Sequence, residues 1–400
     1  MKPNANNRIF LLLVSTFLII GPVTHTFARQ NNTLVTIESA KADQVQPAII
    51  PDGDGGALIF WIDGRDNNQS IRAQQLAPDG SPTFTGGVAV IERSAVIVSF
   101  DVTPAKNGGA YITWEEQTTN RLRDVFLQRI DADGSTWPRP LTFGAAARNQ
   151  SAPRVINDDS EGVYLVWEDR PPVTIPTLQN LAIAAQRIDE NGSLVWGDNG
   201  RELVRQNSDF TMGDILSVQD ALVVVWENAR DQRVYLRALK DTDGSSFSDA
   251  PFEVSNTSDK MTRPRLSLAE NKNDPENTDV FVVWQQSGNA TDLHAQKIDL
   301  SGDKKWTSNG RTVNTAAGDQ INHDIIDDGK ENLFVVWQDN RSGTFKIYAQ
   351  KLNSGGSKRF ANNGLAVANG SDASQVNPRL VANGDGGIYC AWEYMRNGNK

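Results

Sequence analysis

Leu333-Phe-Val-Val-Trp337-Gln-Asp-Asn-Arg341, followed shortly by Ile347-Tyr-Ala-Gln-Lys-Leu352, is a clear copy of a pattern that fills this chain. An unbroken apolar run ending in tryptophan reads as a strand buried on both faces, because a half-exposed strand would alternate apolar with polar residues. Seven such tryptophans, Trp61, Trp114, Trp167, Trp226, Trp284, Trp337 and Trp392, stand 53, 53, 59, 58, 53 and 55 residues apart. A period in the fifties, made of several short strands, is the signature of a repeated all-β array. Seven copies predict a seven-bladed β-propeller of four-stranded antiparallel blades.

Each repeat divides into four strands. The first is short and often opens with proline (Pro47, Pro153, Pro264, Pro378), which a strand tolerates at its first position because the missing N–H need not join the ladder. The second ends at the marker tryptophan. The third carries a central glutamine (Gln74, Gln128, Gln186, Gln296, Gln350) and leads into an Asp/Asn/Gly turn. The fourth is predicted to carry an aromatic residue near its start (Phe84, Trp137, Trp196, Phe247, Trp306, Phe360). The chain stops at Lys400, after the second strand of repeat seven, so the last blade is incomplete. Leu34-Val-Thr-Ile37 occupies the place of a fourth strand and is predicted to close the ring as the outermost strand of that blade. One strand is still missing, so the chain reads as a piece of a longer protein in preference to a short last blade.

Residues 1–28 read as a signal peptide: Lys2 and Arg8, an apolar run from Ile9 to Ile20, and Thr26-Phe27-Ala28 as the cleavage site. The domain is then 29–400. It holds 37 basic against 49 acidic side chains, a net charge of −12, which disfavours nucleic acid and anionic membrane as partners. No later segment approaches about 20 apolar residues, so the mature chain is not predicted to insert in a membrane. Cys390 is the one cysteine and cannot form an intramolecular disulfide. It stands in an apolar run and reads as core filling.

At Trp61-Ile-Asp-Gly-Arg65, Trp167-Glu-Asp-Arg170 and Trp337-Gln-Asp-Asn-Arg341, each followed by an Ala-Gln strand, the chain resembles a group of bacterial exported repeat proteins. These read W-x-D-x-R, then YAQ-(K/R)-(I/L), then DG and W. The resemblance covers the mature chain and implies a propeller that is secreted or displayed at the surface, often followed by further modules. It carries over no catalytic residue.

A residue type present in nearly every repeat serves the repeat. The glutamines are read that way, as amides satisfying backbone groups, and the Asp and Arg after the marker tryptophan in repeats one, three and six as pairs across a turn. The Asp-rich turns at Asp52, Asp131 and Asp241 lack the further carboxylates of a calcium loop, and His294 and His323 stand in different repeats. No metal, cofactor or catalytic constellation is predicted. Asp131-Ala-Asp-Gly-Ser-Thr-Trp137 approaches the Asp-box of sialidase-like propellers but has its glycine one residue early.

Departures from repetition are more informative. Aligning the first strands sets Arg154, Asp214, Arg265, Asp324 and Arg379 at one position in repeats three to seven, with Ala48 and Val102 in repeats one and two. The charges alternate and are expected to pair between neighbouring blades near the mouth of the central channel, a packing role; the functional alternative is an anion site, since three arginines face two aspartates and one guanidinium is then left over. These five residues are the candidate ligand site. Two insertions depart as well: the Pro-rich stretch Pro171 to Asn180, which joins second and third strands and reads as a tolerated surface insertion or else as a cover for a ligand at that mouth, and the polar loop Glu270 to Asp279. The reading is an exported, monomeric, non-catalytic binding or scaffold propeller, extracellular, at the cell surface or periplasmic, with a carbohydrate or protein ligand. The alternative is a glycan-active hydrolase or lyase of sialidase-like type using the same charged mouth.

Overall fold

The computed structural model describes residues 10–11, 35–36, 43–65, 69–84, 86–93, 95–106, 108–117, 122–143, 148–171, 180–270, 279–368, 373–383 and 386–395. The predicted leader and cleavage site lie outside these residues apart from 10–11, and so do 172–179 and 271–278 of the two insertions. The described chain is all-β. Repeats one to six each form a four-stranded antiparallel sheet in simple up-and-down order, and repeat seven contributes two strands.

The chain divides into two compact units. In the first, repeat one supplies Gln44–Pro51, Ala57–Asp63, Gln69–Leu76 and Val88–Arg93. Repeat two supplies Val96–Pro104, Ala110–Gln117, Arg123–Ile130 and Leu141–Phe143, and repeat three Asn149–Asn157, Val163–Arg170, Leu181–Ile188 and Arg201–Gln206. Asp241–Gly244 packs with this unit. Its anchor is the Asp241 carboxylate, which accepts from the Tyr164 hydroxyl at 2.6 Å and pairs with Arg187.

In the second unit, repeat four supplies Phe210–Ser217, Ala221–Asn228, Arg233–Lys240 and Phe252–Glu253. Repeat five supplies Lys260–Leu268, Val280–Ser287, Thr291–Ile298 and Arg311–Asn314. Repeat six supplies Gln320–Asp327, Leu333–Asp339, Lys346–Leu352 and Leu365–Ala366, and repeat seven Ser374–Ala382 and Ile388–Met395. Within each unit the first strands of consecutive repeats pack side by side, as blades do around an axis.

The apolar second strands explain the stacking. Both faces of Leu333–Asp339 and Ala110–Gln117 are buried, and each apolar cluster spans two consecutive sheets. One joins repeats one and two through Phe60, Ile71 and Trp114; another joins repeats five and six through Val283, Val335 and Trp337. Burying one tryptophan ring contributes roughly 4–6 kcal/mol of transfer free energy. Six marker tryptophans are buried, whereas Trp392 is only partly covered and Ile388–Met395 alternates between half-buried and exposed residues. Cys390 lies in that strand, half-buried beside Trp392 and Leu380, and burial pushes its thiol up to about 12.

The central glutamines are fixed by their own connections. Gln350 Nε2 donates to Ala361 O at 2.8 Å while its Oε1 accepts from Phe360 N at 3.0 Å; Gln186 and Gln296 do the same around Trp196 and Trp306, and Gln74 serves both the N–H and the C=O of Phe84. This moves the aromatic residue from its predicted place. It sits in the connection before the fourth strand, because a side-chain amide already takes the backbone groups a ladder would use. Glycine follows at a left-handed φ where a Cβ would strike the marker ring: at Gly364 it would lie 2.5 Å from Trp337 Cη2.

One buried carboxyl is left partly unpaired. Asp327 is 8% exposed and its Oδ2 has no hydrogen-bond partner among the described residues. Burial, reinforced by the charges of Asp328, Glu270 and Glu331 and opposed by the Gly329 amide, pushes it up to about 7. A folded value raised above the unfolded one gives stability that is complete at low pH and lost as pH rises through about 7. The melting temperature is therefore expected to fall between pH 6 and pH 8, and Asp327→Asn to flatten that fall in parallel melts. Equal slopes for both proteins would contradict it.

Candidate functional site

In every repeat the register of the first strand slips by one extra residue. In five repeats the bulge holds a non-glycine residue in the left-handed region: Gln46 (φ 53°), Ala152 (50°), Arg263 (51°), Asn322 (51°) and Asn377 (55°). Each such residue costs about 1–3 kcal/mol unless its surroundings enforce it. Prolines 47, 153, 264 and 378 follow directly. They are not strand openers, as the sequence suggested; they sit inside strands that begin three or four residues earlier, at a bulge that does not need their N–H.

The bulge is held from the preceding repeat. Glu115 Oε2 accepts from Ala152 N at 3.0 Å, Glu227 Oε2 from Arg263 N at 2.9 Å, and Gln338 Oε1 from Asn377 N at 2.8 Å. Further along, Asp101 Oδ2 accepts from Val155 N at 3.1 Å, Asp214 Oδ2 from Leu266 N at 3.1 Å, and Asp324 Oδ2 from Leu380 N at 2.8 Å. Repeats two and three, four and five, and six and seven are thus each joined by two side-chain-to-amide bonds.

These bonds correct the charge alignment. In repeat two the residue opposite the position before the marker tryptophan is Asp101, not Val102, because the bulge there lies earlier, between Ile97 and Ser99. Asp therefore alternates with Arg from repeat two to repeat seven, with three of each, and no arginine is left over by count. Burial raises the Asp101 carboxyl above its ordinary range while the Arg154 charge opposes the shift. Arg265 lies 3.9 Å from Asp214.

Of the five predicted residues, Arg154 belongs to the first unit and the other four to the second. In the second unit Asp214 and Asp324 are occupied with backbone amides, while Arg265 and Arg379 line a pocket of about 410 Å³. Its other walls include Arg263, Glu227, Gln285, Asn322, His323 and Asn377, none of them singled out from the sequence as ligand groups. Arg263 Nη1 donates to Asn322 Oδ1 at 3.0 Å and Arg379 Nη1 to Pro378 O at 2.8 Å, so both guanidiniums keep further donors. His323 and Gln285 are each 4% exposed, and His323 Nδ1 and Gln285 Nε2 have no hydrogen-bond partner among the described residues. Burial, with the nearby Arg265 charge, lowers the His323 imidazole to about 3.

The remaining candidates serve the sheets. Asp63 and Asp339 each accept from their marker indole and pair with Arg65 and Arg341. Repeat three differs: Arg170 pairs with Glu168, and Asp169 with Arg148 and Arg205. His294 stacks on Trp284 at 6.0 Å. Among the described residues no group of three or more His, Cys, Asp or Glu side chains is placed to hold a metal ion, and no helix is long and apolar enough to cross a membrane.

The fold is thus an all-β series of blade-like antiparallel sheets with an arginine-lined pocket at four first strands. No protein-family model and no curated protein matches the chain. Solved structures similar to it include a protein of unknown function from Dyadobacter fermentans, 10% identical over 78% of this chain and 95% of that one, with a TM-score of 0.43. Others are a PL25 polysaccharide lyase described as an ulvan lyase, 10% identical over 79% and 80% with a TM-score of 0.47, and the Hadza microbial sialidase Hz136, 12% identical over 78% and 68% with a TM-score of 0.44.

Gly213 stands where repeats one, three, five and seven have proline, and a Cβ on it would lie 2.4 Å from Pro264 Cγ and 2.8 Å from Pro264 O. Gly213→Ala is expected to force repeats four and five apart at the pocket wall, costing about 1–3 kcal/mol as overpacking does. A lower urea midpoint checks this; an unchanged one would show that the contact gives way freely.

Proposed function

We propose that this chain is an exported, non-catalytic binding propeller whose ligand is an anion held in the second-unit pocket. The observation that carries the reading is the gathering of Arg263, Arg265 and Arg379 around one cavity in a chain of net charge −10. Arginine's planar fork of donors matches carboxylate, sulfate and phosphate oxygens. Among the described lining residues Glu227 is the one carboxylate, and it already accepts from Arg263 N. The ligand is a carbohydrate or a protein acidic group, met outside the cell, at its surface or in the periplasm, by a monomer.

The same observation supports a second reading, a glycan-active hydrolase or lyase, through Glu227 lying beside three arginines. Glycoside hydrolysis needs a second carboxyl about 5–10 Å away, and Asp214, behind Arg265, accepts from two backbone amides. This favours binding.

Arg265→Ala is the test. Its side chain is 34% exposed and its contact with Asp214 is long, so the fold is expected to stay within about 1 kcal/mol while binding to an acidic glycan array drops about tenfold or more. Array binding unchanged by the substitution would remove the pocket from the function. Depolymerisation of an acidic glycan by the parent chain but not by Glu227→Gln would move the reading to the enzyme.

We further propose that seven repeats close through the N-terminal strand. The exposure of Val381, Tyr389 and Tyr394 on repeat seven supports a missing partner strand. Val35–Thr36 pairs here with Phe10–Leu11, within the leader, so removing the leader frees the segment 34–37 for that role. Deleting 31–37 from the processed chain is expected to lower the melting temperature by several degrees; an unchanged value contradicts closure.

A further inference from the structure

We infer that His323 makes the second-unit pocket selective for an anion that also carries free hydroxyl groups, an acidic sugar, over a bare anion. This rests on the anion-site reading above and narrows its ligand class. His323 Nε2 lies 3.3 Å from Val283 O, and a carbonyl oxygen only accepts, so Nε2 carries the proton. The second nitrogen of a neutral ring is then an acceptor. Depression of the imidazole to about 3 by burial keeps the ring neutral under ordinary conditions.

Among the described residues Nδ1 is therefore a buried acceptor without a partner, and Gln285 Nε2, on another residue of the pocket lining, is a buried donor without one. A bare carboxylate satisfies guanidiniums but offers no proton to Nδ1. Hydroxyl groups both donate and accept, so they can serve Nδ1 and Gln285 Nε2 alike while the acid group meets arginine. The repeat itself does not require this histidine: the equivalent residues are Pro47, Pro153, Pro264 and Pro378 in odd repeats and Gly213 in repeat four.

The experiment uses the mature chain with methyl-labelled methionine, reading the Met212 methyl on the pocket wall by NMR during titration at pH 7.5. The probes are D-glucuronate and cyclohexanecarboxylate, which share a six-membered ring and one negative charge but differ in hydroxyls. Glucuronate is expected to bind about tenfold tighter, the difference that one satisfied buried hydrogen bond makes. His323→Phe should bring the two within about twofold, chiefly by weakening glucuronate, whereas His323→Gln, which keeps an acceptor, should retain part of the preference. Equal affinities in the parent chain would overturn this inference and leave the anion site standing. No Met212 response to either probe, up to the limit of its solubility, would overturn both.

Discussion

The structure depends on a backbone constraint: a bulge near the start of every first strand, which turns amide groups out of their own ladder. An amide so displaced needs an acceptor elsewhere. In repeats three, five and seven that acceptor comes from the sheet before, through Glu115, Glu227 or Gln338 for the left-handed residue and Asp101, Asp214 or Asp324 for the amide three residues on. Strain in one sheet and contact with its neighbour are thus the same feature. Hydrogen bonds to charged groups contribute about 1.5–3 kcal/mol each, comparable with the cost of a left-handed non-glycine residue. Neither would persist alone.

This explains a charge pattern that pairing alone does not. Asp and Arg alternate because the carboxylate that reaches the next strand's amide comes to rest beside the residue just before that amide. Arginine at that residue offsets the burial of the carboxylate, as Arg154 does for Asp101 and Arg265 for Asp214. The 55-residue repeat seen in the tryptophans is therefore overlaid by a two-repeat alternation in polar chemistry. The buried second strands are alike in repeats one to six, while odd and even repeats differ in what they give and take.

The all-β repeat was legible because burial on two faces is written directly in composition, as in Leu333 to Trp337. The glutamines were legible for a similar reason: a polar residue kept at one place in many sheets must have a backbone partner there. The bulge was not legible. Proline before Arg154, Arg265 and Arg379 suits the start of a strand as well as a bulge inside one, and only the register distinguishes them. In repeat two, which lacks the proline, the same ambiguity displaced the alignment by one residue and hid Asp101. His323 was passed over as an isolated histidine. Its signal was positional, since it replaces the proline of four other repeats, but that position gains meaning only once the bulge is known.

Departures from repetition gather at the pocket, and this has a physical basis. A residue required at every blade junction cannot also be tuned to a ligand, because changing it would loosen the stack. Glu227 and Gln338 are committed in this way, each with a backbone amide to hold. Arg263, Arg379 and His323 are not: their substitution leaves no displaced amide without an acceptor. They project from bulges that are already strained and already fixed from the neighbouring sheet, so their backbone positions are set before any ligand arrives. An arginine anchored this way, with one donor on Asn322 Oδ1 or Pro378 O and the rest of its fork available, loses little freedom when it meets an anion. The rigidity that the bulge imposes on the fold is what makes a selective site possible at the same place.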